Sequence, residues 1–320
     1  MTSEELTRGL LYLFLTVVGV PGNGTVIWAF LHMVFCEGRL LPADAIVLHL
    51  ASVNLLVVGV RCLLEMLASF QLANVFDDTG CKAVIFVYRT SRSMSIWLTF
   101  ILSAYQCVSI APPGSRWAAA RTLAARYLGG VFLGLWVMNC SMSTAAVAFS
   151  LGTRNSSALG QHGINVEFCF VRFPSLLSRD ANGAVQVARD VVPMALMTGA
   201  SLVILLFLYR HSQQVRSLRS GAPGRQGSAE RRAAKAVVTL VTLYVVFYGV
   251  DNGLWVYTLT VPRTLASSLL SDLRIFFSSL YAAVSPIVII TTNRKVSGRL
   301  RCGRVEEKPL HSAATTLSTM

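Results

Sequence analysis

Seven of the charged side chains that interrupt otherwise apolar stretches of sequence are candidates for a functional role. An ionised group is costly in such a setting, because leaving water is unfavourable unless a partner neutralises the charge. Residues that carry this cost are candidates for pairing with one another or for binding a polar ligand. The seven are Arg61, Glu65, Arg89, Arg92, Arg189, Asp190 and Asp251.

The spacing of these charges predicts which of them pair. Arg61 and Glu65 are four residues apart, which places both on one face of a helix and allows an ion pair. If that pair forms, the other three arginines of the set face only two aspartates, and one guanidinium is left over. A ligand carboxylate, sulfate or phosphate would satisfy it bidentately. We therefore predict a small amphipathic anion as ligand, with its acid near Arg92; the alternative is an internal salt-bridge network that only holds the helices together.

Catalytic chemistry has little support in the sequence. The five histidines are scattered, and no group of His, Cys, Asp and Glu has the spacing of a metal site. The nucleotide-binding pattern Gly-x-x-x-x-Gly-Lys and the hydrolase pattern Gly-x-Ser-x-Gly are absent. We expect neither an enzyme nor a bound cofactor or metal.

Seven hydrophobic segments must position the charged residues. Hydrophobic residues make up 54% of the 320 residues and charged residues only 13%. Each segment has the roughly 20 apolar residues that cross a bilayer as a helix. A helix bundle satisfies the backbone hydrogen bonds in lipid, so the predicted fold is an all-α bundle of seven transmembrane helices in a single domain, 1–320. The segments are 10–35, 43–70, 83–110, 127–151, 184–209, 234–259 and 265–292.

The distribution of charge predicts the orientation of the bundle. With the N-terminus outside, the inner loops and the tail hold 17 of the 28 Lys and Arg residues but only five of the 15 Asp and Glu residues. This asymmetry predicts an extracellular N-terminus (1–9) and a cytoplasmic tail (about 293–320). A basic inner face suits anionic lipids. The net charge of +13 does not indicate nucleic acid, because no basic and aromatic module accompanies it.

The same topology selects the residues open to extracellular modification. Of seven cysteines, only Cys81 and Cys169 fall in outer segments, so they are the predicted disulfide; the alternative is two free thiols. The sequons at Asn23 and Asn139 lie inside predicted helices. The sequon at Asn155 lies in the outer loop between the fourth and fifth segments, where glycosylation is possible.

Motifs along the whole chain resemble the vomeronasal type-1 receptor family, which includes the fish olfactory class A receptors and belongs to the rhodopsin-like G-protein-coupled receptors. The resemblance implies a pheromone or odorant receptor of the plasma membrane that activates a heterotrimeric G protein. The matching motifs are Gly22-Asn23, His49-Leu50-Ala51-Ser52-Val53-Asn54-Leu55, Arg92-Ser93-Met94-Ser95-Ile96, Leu102 to Pro112, Trp136, Pro193, Phe247-Tyr248-Gly249-Val250-Asp251 and Ser285-Pro286.

Departures from the wider rhodopsin-like pattern agree with this assignment, because the vomeronasal group shares them. The third segment ends in Tyr105-Gln106-Cys107 instead of Asp/Glu-Arg-Tyr. Asn54 replaces the aspartate of the usual sodium site, so a bound sodium ion is in doubt. The sixth segment lacks Trp-x-Pro, and the seventh lacks Asn and Tyr around Pro286. The activation switch is therefore not assigned.

The residues at the two ends of the bundle have different predicted roles. A small transporter or channel is the alternative to a receptor, although no internal repeat supports it. The candidate ligand-binding residues, toward the outer ends, are Tyr88, Arg89, Arg92, Arg189, Asp190, Tyr248, Asp251 and Trp255. The candidate G-protein-facing residues, toward the inner ends, are Gln106, Arg116, Arg210, Arg231, Arg232 and Lys235.

Overall fold

Among the residues that it describes, a computed structural model shows seven helices long and apolar enough to cross a membrane, as predicted. It describes residues 3–38, 40–70, 77–110, 116–148, 150–152, 163–166, 169–172, 174–217, 225–260, 267–293 and 295–298; some of these, mostly near segment ends, are described by their backbone alone. The helices are α1 (Ser3–Glu37), α2 (Pro42–Ser69), α3 (Asp78–Ile110), α4 (Arg116–Ala148), α5 (Leu176–Ser217), α6 (Arg225–Thr260) and α7 (Ser267–Thr292).

Several helices extend well beyond the predicted hydrophobic segments. The helix α1 begins at Ser3, so most of the predicted N-terminal segment 1–9 is helical, and α5 ends at Ser217, eight residues past its predicted end at 209. Hydrophobicity reports the thickness of the lipid that a segment crosses. A helix can continue into water with polar residues, so its full length is not encoded in that signal.

Local interactions fix several helix ends. Gly38 adopts a left-handed conformation with φ 65° and its N–H donates to the Val34 carbonyl, which ends α1. Pro42 stands in the first turn of α2, where its missing N–H costs nothing. The Asp77 carboxylate accepts the Gly80 N–H at 2.8 Å and caps α3.

The second helix contains one wide turn. Residues Val58–Cys62 form a π-helical segment within α2. Such a turn inserts an extra residue into the helix and rotates the side chains that follow it. Arg61 lies in this segment, so the turn helps to set the direction of its buried guanidinium.

A small antiparallel sheet lies between α4 and α5. Its strands are β1 (Ser150–Gly152), β2 (Gly163–Val166) and β3 (Cys169–Arg172), in the order β1-β3-β2, and β1 packs against α3. We call the end of the bundle that carries this sheet the sheet end. The opposite end, with Arg121, Arg210, Lys235 and Lys295, is the basic end.

The third helix is the centre of the bundle, and it packs against α2, α4, α5 and α6. Two polar links attach α4 to its neighbours, one to α3 and one to α2. The Ser93 hydroxyl donates to Asn139 Oδ1, and Trp136 Nε1 donates to His49 Nε2 of α2 at 2.8 Å. Asn139 and Asn23 are both buried within helices, which confirms that their sequons lie in helical segments.

The helices α1 and α7 pack closely together at Gly22. A Cβ atom added to Gly22 would lie 2.9 Å from Pro286 Cγ, and Asn23 Nδ2 donates to the Ala282 carbonyl of α7 at 2.9 Å. Gly22 therefore allows the backbone approach on which that hydrogen bond depends.

Substitution of Gly22 with valine should destabilise the bundle. Overpacking at this contact is expected to cost about 1–3 kcal/mol in the free energy of unfolding. Thermal unfolding of the purified protein in detergent micelles measures the effect. Gly24→Val is the matched control, because a Cβ atom there would meet nothing within 4 Å. Equal midpoints for the two variants would contradict the close-approach role of Gly22.

Candidate functional site

An arginine at the centre of the bundle binds two aspartates from two other helices. Arg92 of α3 is buried, and its Nη1 donates to Asp190 Oδ2 of α5 at 2.5 Å. Its Nη2 donates to Asp251 Oδ2 of α6 at 2.6 Å. Both aspartates are buried as well, so these charge-assisted hydrogen bonds act where water does not screen them. Arg92 thus joins α3, α5 and α6.

Two further arginines extend this arrangement. Arg189 Nε lies 3.5 Å from Asp190 Oδ1, and Arg274 Nε of α7 lies 3.3 Å from Asp251 Oδ1. The five side chains alternate in sign across four helices, and we call them the ionic chain: Arg189, Asp190, Arg92, Asp251 and Arg274.

The structure changes the sequence-based account of these charges at two points. Arg92 does not supply the left-over guanidinium, since it takes both aspartates. Arg274 was not among the predicted site residues, although it is a charge inside the seventh hydrophobic segment and could have been found by that signal.

The left-over positive charge lies beside α5. Nε and Nη2 of Arg189 have no hydrogen-bond partner among the described residues, although the side chain is buried. Arg89 is half-buried; its Nη2 lies 3.4 Å from Asn182 Oδ1, and its Nε likewise lacks a partner in the described part of the chain. With Arg89 included, the described side chains of this region contain four guanidinium groups and two carboxylates. The arrangement can bind an anion.

A stack of tyrosines lies against the ionic chain. The Arg92 guanidinium lies over the Tyr248 ring at 4.8 Å from its centroid, a cation–π contact. The rings of Tyr244 and Tyr248 are parallel with centroids 4.1 Å apart, and Tyr281 meets Tyr244 edge-on at 4.7 Å. All three are fully buried. The three rings form an aromatic layer on one side of Arg92.

A second ion pair lies between α2, α3 and α7. Arg61 Nη2 is 2.6 Å from Glu65 Oε1, which confirms the predicted pairing at four residues' spacing. The Arg61 guanidinium lies 5.5 Å from the centroid of the Tyr88 ring, and the Tyr88 hydroxyl shares a 3.0 Å hydrogen bond with Ser278 of α7. Tyr88 therefore contacts this pair, while its neighbour Arg89 contacts α5.

Asn54, which replaces the aspartate of the usual sodium site, makes hydrogen bonds to two neighbouring helices. Asn54 Oδ1 accepts from the Ser95 hydroxyl at 2.6 Å, and Asn54 Nδ2 donates to Ser285 Oγ at 2.9 Å. A neutral amide linked to two hydroxyls thus joins α2, α3 and α7. Thr99 and Tyr281 continue the polar contacts between α3 and α7 with a 2.9 Å hydrogen bond.

The basic end holds the described residues that we predicted to face a G protein. Arg210 and Lys235 are exposed, and Gln106 and Arg232 are partly exposed. The side chains of Arg116 and Arg231 lie outside the described ones. At the same end Lys295 Nζ pairs with the buried carboxylate of Asp44, which attaches the segment after α7 to the start of α2.

The remaining predicted residues lie at the sheet end. Cys81 is disulfide-bonded, and Cys169 is the first residue of β3; its side chain is outside the described ones, so the pairing of the two stays a prediction. Trp255 lies in α6, and only its backbone is described. Asn155 falls outside the described residues.

Comparison with known proteins agrees with this architecture. The profile of the vomeronasal organ pheromone receptor family matches residues 8–302. Olfactory receptor class A-like protein 1 of Danio rerio is 39% identical over 94% of this chain and 94% of its own length. Human vomeronasal type-1 receptor 1 is 27% identical over 93% of this chain and 83% of its own.

Among solved structures, squid rhodopsin matches with a TM-score of 0.71 at 14% identity, over 95% of this chain and 86% of its own. That likeness shows the fold, while the family profile separates the receptor reading from the transporter or channel alternative. The chain belongs to the vomeronasal pheromone receptor family and is a chemosensory G-protein-coupled receptor, a multi-pass protein of the plasma membrane and not an enzyme.

Proposed function

We propose that this receptor detects a small amphipathic anion, whose carboxylate, sulfate or phosphate binds Arg89 and Arg189. The observation that carries the proposal is the left-over positive charge beside α5, where Arg189 is buried with two nitrogens that lack a described hydrogen-bond partner. A buried guanidinium whose nitrogens lack hydrogen-bond partners is expensive, and an anion would remove that cost with bidentate hydrogen bonds. The ligand acid would then lie beside Arg189, on the α5 side of Arg92.

The apolar part of the ligand would pack among aromatic side chains near the ionic chain. Tyr248 belongs to the buried layer against Arg92, and Trp97 is partly buried in α3. We include Trp255 in the proposed site because α6 carries it one turn beyond Asp251. Receptor sites of this kind combine mostly apolar walls with a few oriented polar groups.

The sheet end is proposed to face the outside of the cell. The excess of Lys and Arg at the other end supports this orientation, with residues 1–9 outside and about 293–320 inside, in a single domain. A Cys81–Cys169 disulfide would join the sheet to α3, and Asn155 would carry a glycan. Loss of a glycosidase-sensitive mobility shift in Asn155→Gln tests the orientation, whereas a parent protein without any glycan would contradict the glycosylation.

The basic end is proposed to contact a heterotrimeric G protein and anionic lipid headgroups. Arg210 of α5 and Lys235 of α6 are exposed there, on a basic face around the opening that activation would create. Replacing Arg232 and Lys235 together with glutamine should reduce signalling at matched surface abundance. Unchanged signalling would remove these two residues from the coupling surface.

A ligand screen with a G-protein readout tests the proposed ligand class. For an agonist that carries an acid, its methyl ester should be about 10- to 100-fold less potent, because a hydrogen-bonded charge contributes roughly 1.5–3 kcal/mol. The amide of the same acid is a second neutral analogue of similar size. Equal potency of the acid and both neutral analogues would exclude an anion site.

A further inference from the structure

The two ends of the ionic chain place an arginine Nε at different distances from a carboxylate oxygen. At the α5 end, Arg189 Nε is 3.5 Å from Asp190 Oδ1, too far for a good hydrogen bond. At the α7 end, each oxygen of the Asp251 carboxylate lies near a different guanidinium group. Asp251 Oδ2 is 2.6 Å from Arg92 Nη2, and Asp251 Oδ1 is 3.3 Å from Arg274 Nε.

Asp251 therefore bridges two guanidinium groups in the way a bound anion would. Its side chain is 6% exposed, while the Arg274 side chain is 24% exposed, so the α7 end of the chain borders the surface of the bundle. The carboxylate belongs to α6 and the two guanidiniums to α3 and α7. If the carboxylate were neutral, the same place between Arg92 and Arg274 would attract an anion from outside.

We infer that Asp251 is a specificity-determining residue. Its carboxylate occupies a second anion-binding position, between Arg92 and Arg274, and so restricts the ligand to one anionic group. The inference rests on the proposed anion site at Arg89 and Arg189 and deepens it. A second ligand acid would meet the Asp251 carboxylate, and repulsion against the wrong ligand is a general means of selectivity. The receptor would thus prefer monoanions to dianions with the same carbon chain.

Butyrate and succinate are matched probes for this preference, since both have four carbons. Butyrate carries one carboxylate and succinate carries two. The apparent dissociation constant of each follows from the rise in the thermal unfolding midpoint of the purified full-length protein with probe concentration. For the parent protein we expect butyrate to bind more tightly than succinate, because the second carboxylate of succinate meets the Asp251 carboxylate. For Asp251→Asn we expect succinate to bind about tenfold more tightly than butyrate, as one added charge-assisted contact would give.

Three further variants complete the experiment. Asp180→Asn neutralises an exposed acid of α5 and should leave the ratio at the parent value. Asp251→Asn combined with Arg274→Gln should lose the preference for succinate. That loss would locate the second anion-binding position at Arg274. Asp251→Ser repeats the test with a smaller side chain. An unchanged ratio of the two constants in Asp251→Asn and Asp251→Ser overturns the inference.

The design separates this inference from the proposed anion site. If neither probe stabilises the parent, while succinate stabilises Asp251→Asn in an Arg274-dependent manner, the site at Arg89 and Arg189 fails and the role of Asp251 stands. If both Asp251 variants fold only in succinate buffer, the added anion has replaced the missing carboxylate, as expected. If both Asp251 variants remain unfolded with and without succinate, the inference is overturned.

Discussion

Replacement of Arg92 with alanine should lower the free energy of unfolding by about 3–5 kcal/mol, the cost of leaving buried charges without their partner. Two aspartates would be affected, because Arg92 holds Asp190 at 2.5 Å and Asp251 at 2.6 Å. The three helices that these residues join would lose their common link. We expect little protein at the cell surface and a clearly lower thermal midpoint for the fraction that can be purified.

A second set of variants shows whether the loss arises from uncompensated charge. Adding Asp190→Asn and Asp251→Asn to Arg92→Ala should recover part of the stability, because removal of a whole ionic group costs less than removal of one member. Arg92→Lys should be intermediate, since one ammonium lacks the fork that binds two carboxylates on separate nitrogens. Arg121→Ala, at an exposed position of α4, is the control. Surface abundance of Arg92→Ala equal to this control would contradict a stabilising role for Arg92.

The ionic chain shows where sequence reasoning reaches its limit in a helix bundle. The Arg61–Glu65 pair could be predicted because both residues lie on one helix, whose geometry fixes the distance between positions four apart. The partners of Arg92 lie on α5 and α6. Their contact depends on how each helix is rotated and shifted against α3, and a single sequence does not contain that information directly.

Hydrophobicity predicted the seven helices, but neither their full lengths nor the wide turn in α2. The π-helical segment Val58–Cys62 has no distinct pattern of apolar residues, because it adds only one residue to a helix that stays apolar on both sides. The small sheet between α4 and α5 was likewise not predicted. Its strands are three and four residues long, too short for alternation to be recognised.

Residue chemistry predicted an anionic ligand, and the contacts then changed the proposed position of its acid. Four guanidiniums and two carboxylates among the described side chains leave more positive charge than the three-to-two count from sequence, since Arg274 adds a fourth arginine. Because Arg92 and Arg274 share Asp251, the charge available to a ligand lies at Arg89 and Arg189. The prediction of an anion is thus retained, with its acid moved toward α5.

Loss of both Arg89 and Arg189 should therefore abolish most of the response to an acidic agonist. Each guanidinium that binds the ligand acid contributes roughly 1.5–3 kcal/mol, so Arg189→Gln alone should raise the half-maximal agonist concentration about 10- to 100-fold. Arg189→Lys keeps the charge but loses the two-pronged geometry, and we expect a smaller increase. The methyl ester should lose little potency in Arg189→Gln, because its ester group makes no charged contact that the substitution could remove.

The comparison of acid and ester across variants separates ligand binding from a general loss of function. A receptor that is merely damaged should lose potency for both compounds to the same extent, whereas a lost anion contact should affect the acid alone. Lys82→Gln, a partly exposed cation near the start of α3, is the matched control and should change neither potency. Surface abundance must match across the set, because Arg189→Gln also removes the 3.5 Å contact between Arg189 and Asp190. An acid response that survives in the Arg89→Gln/Arg189→Gln double variant would show that the ligand acid binds elsewhere.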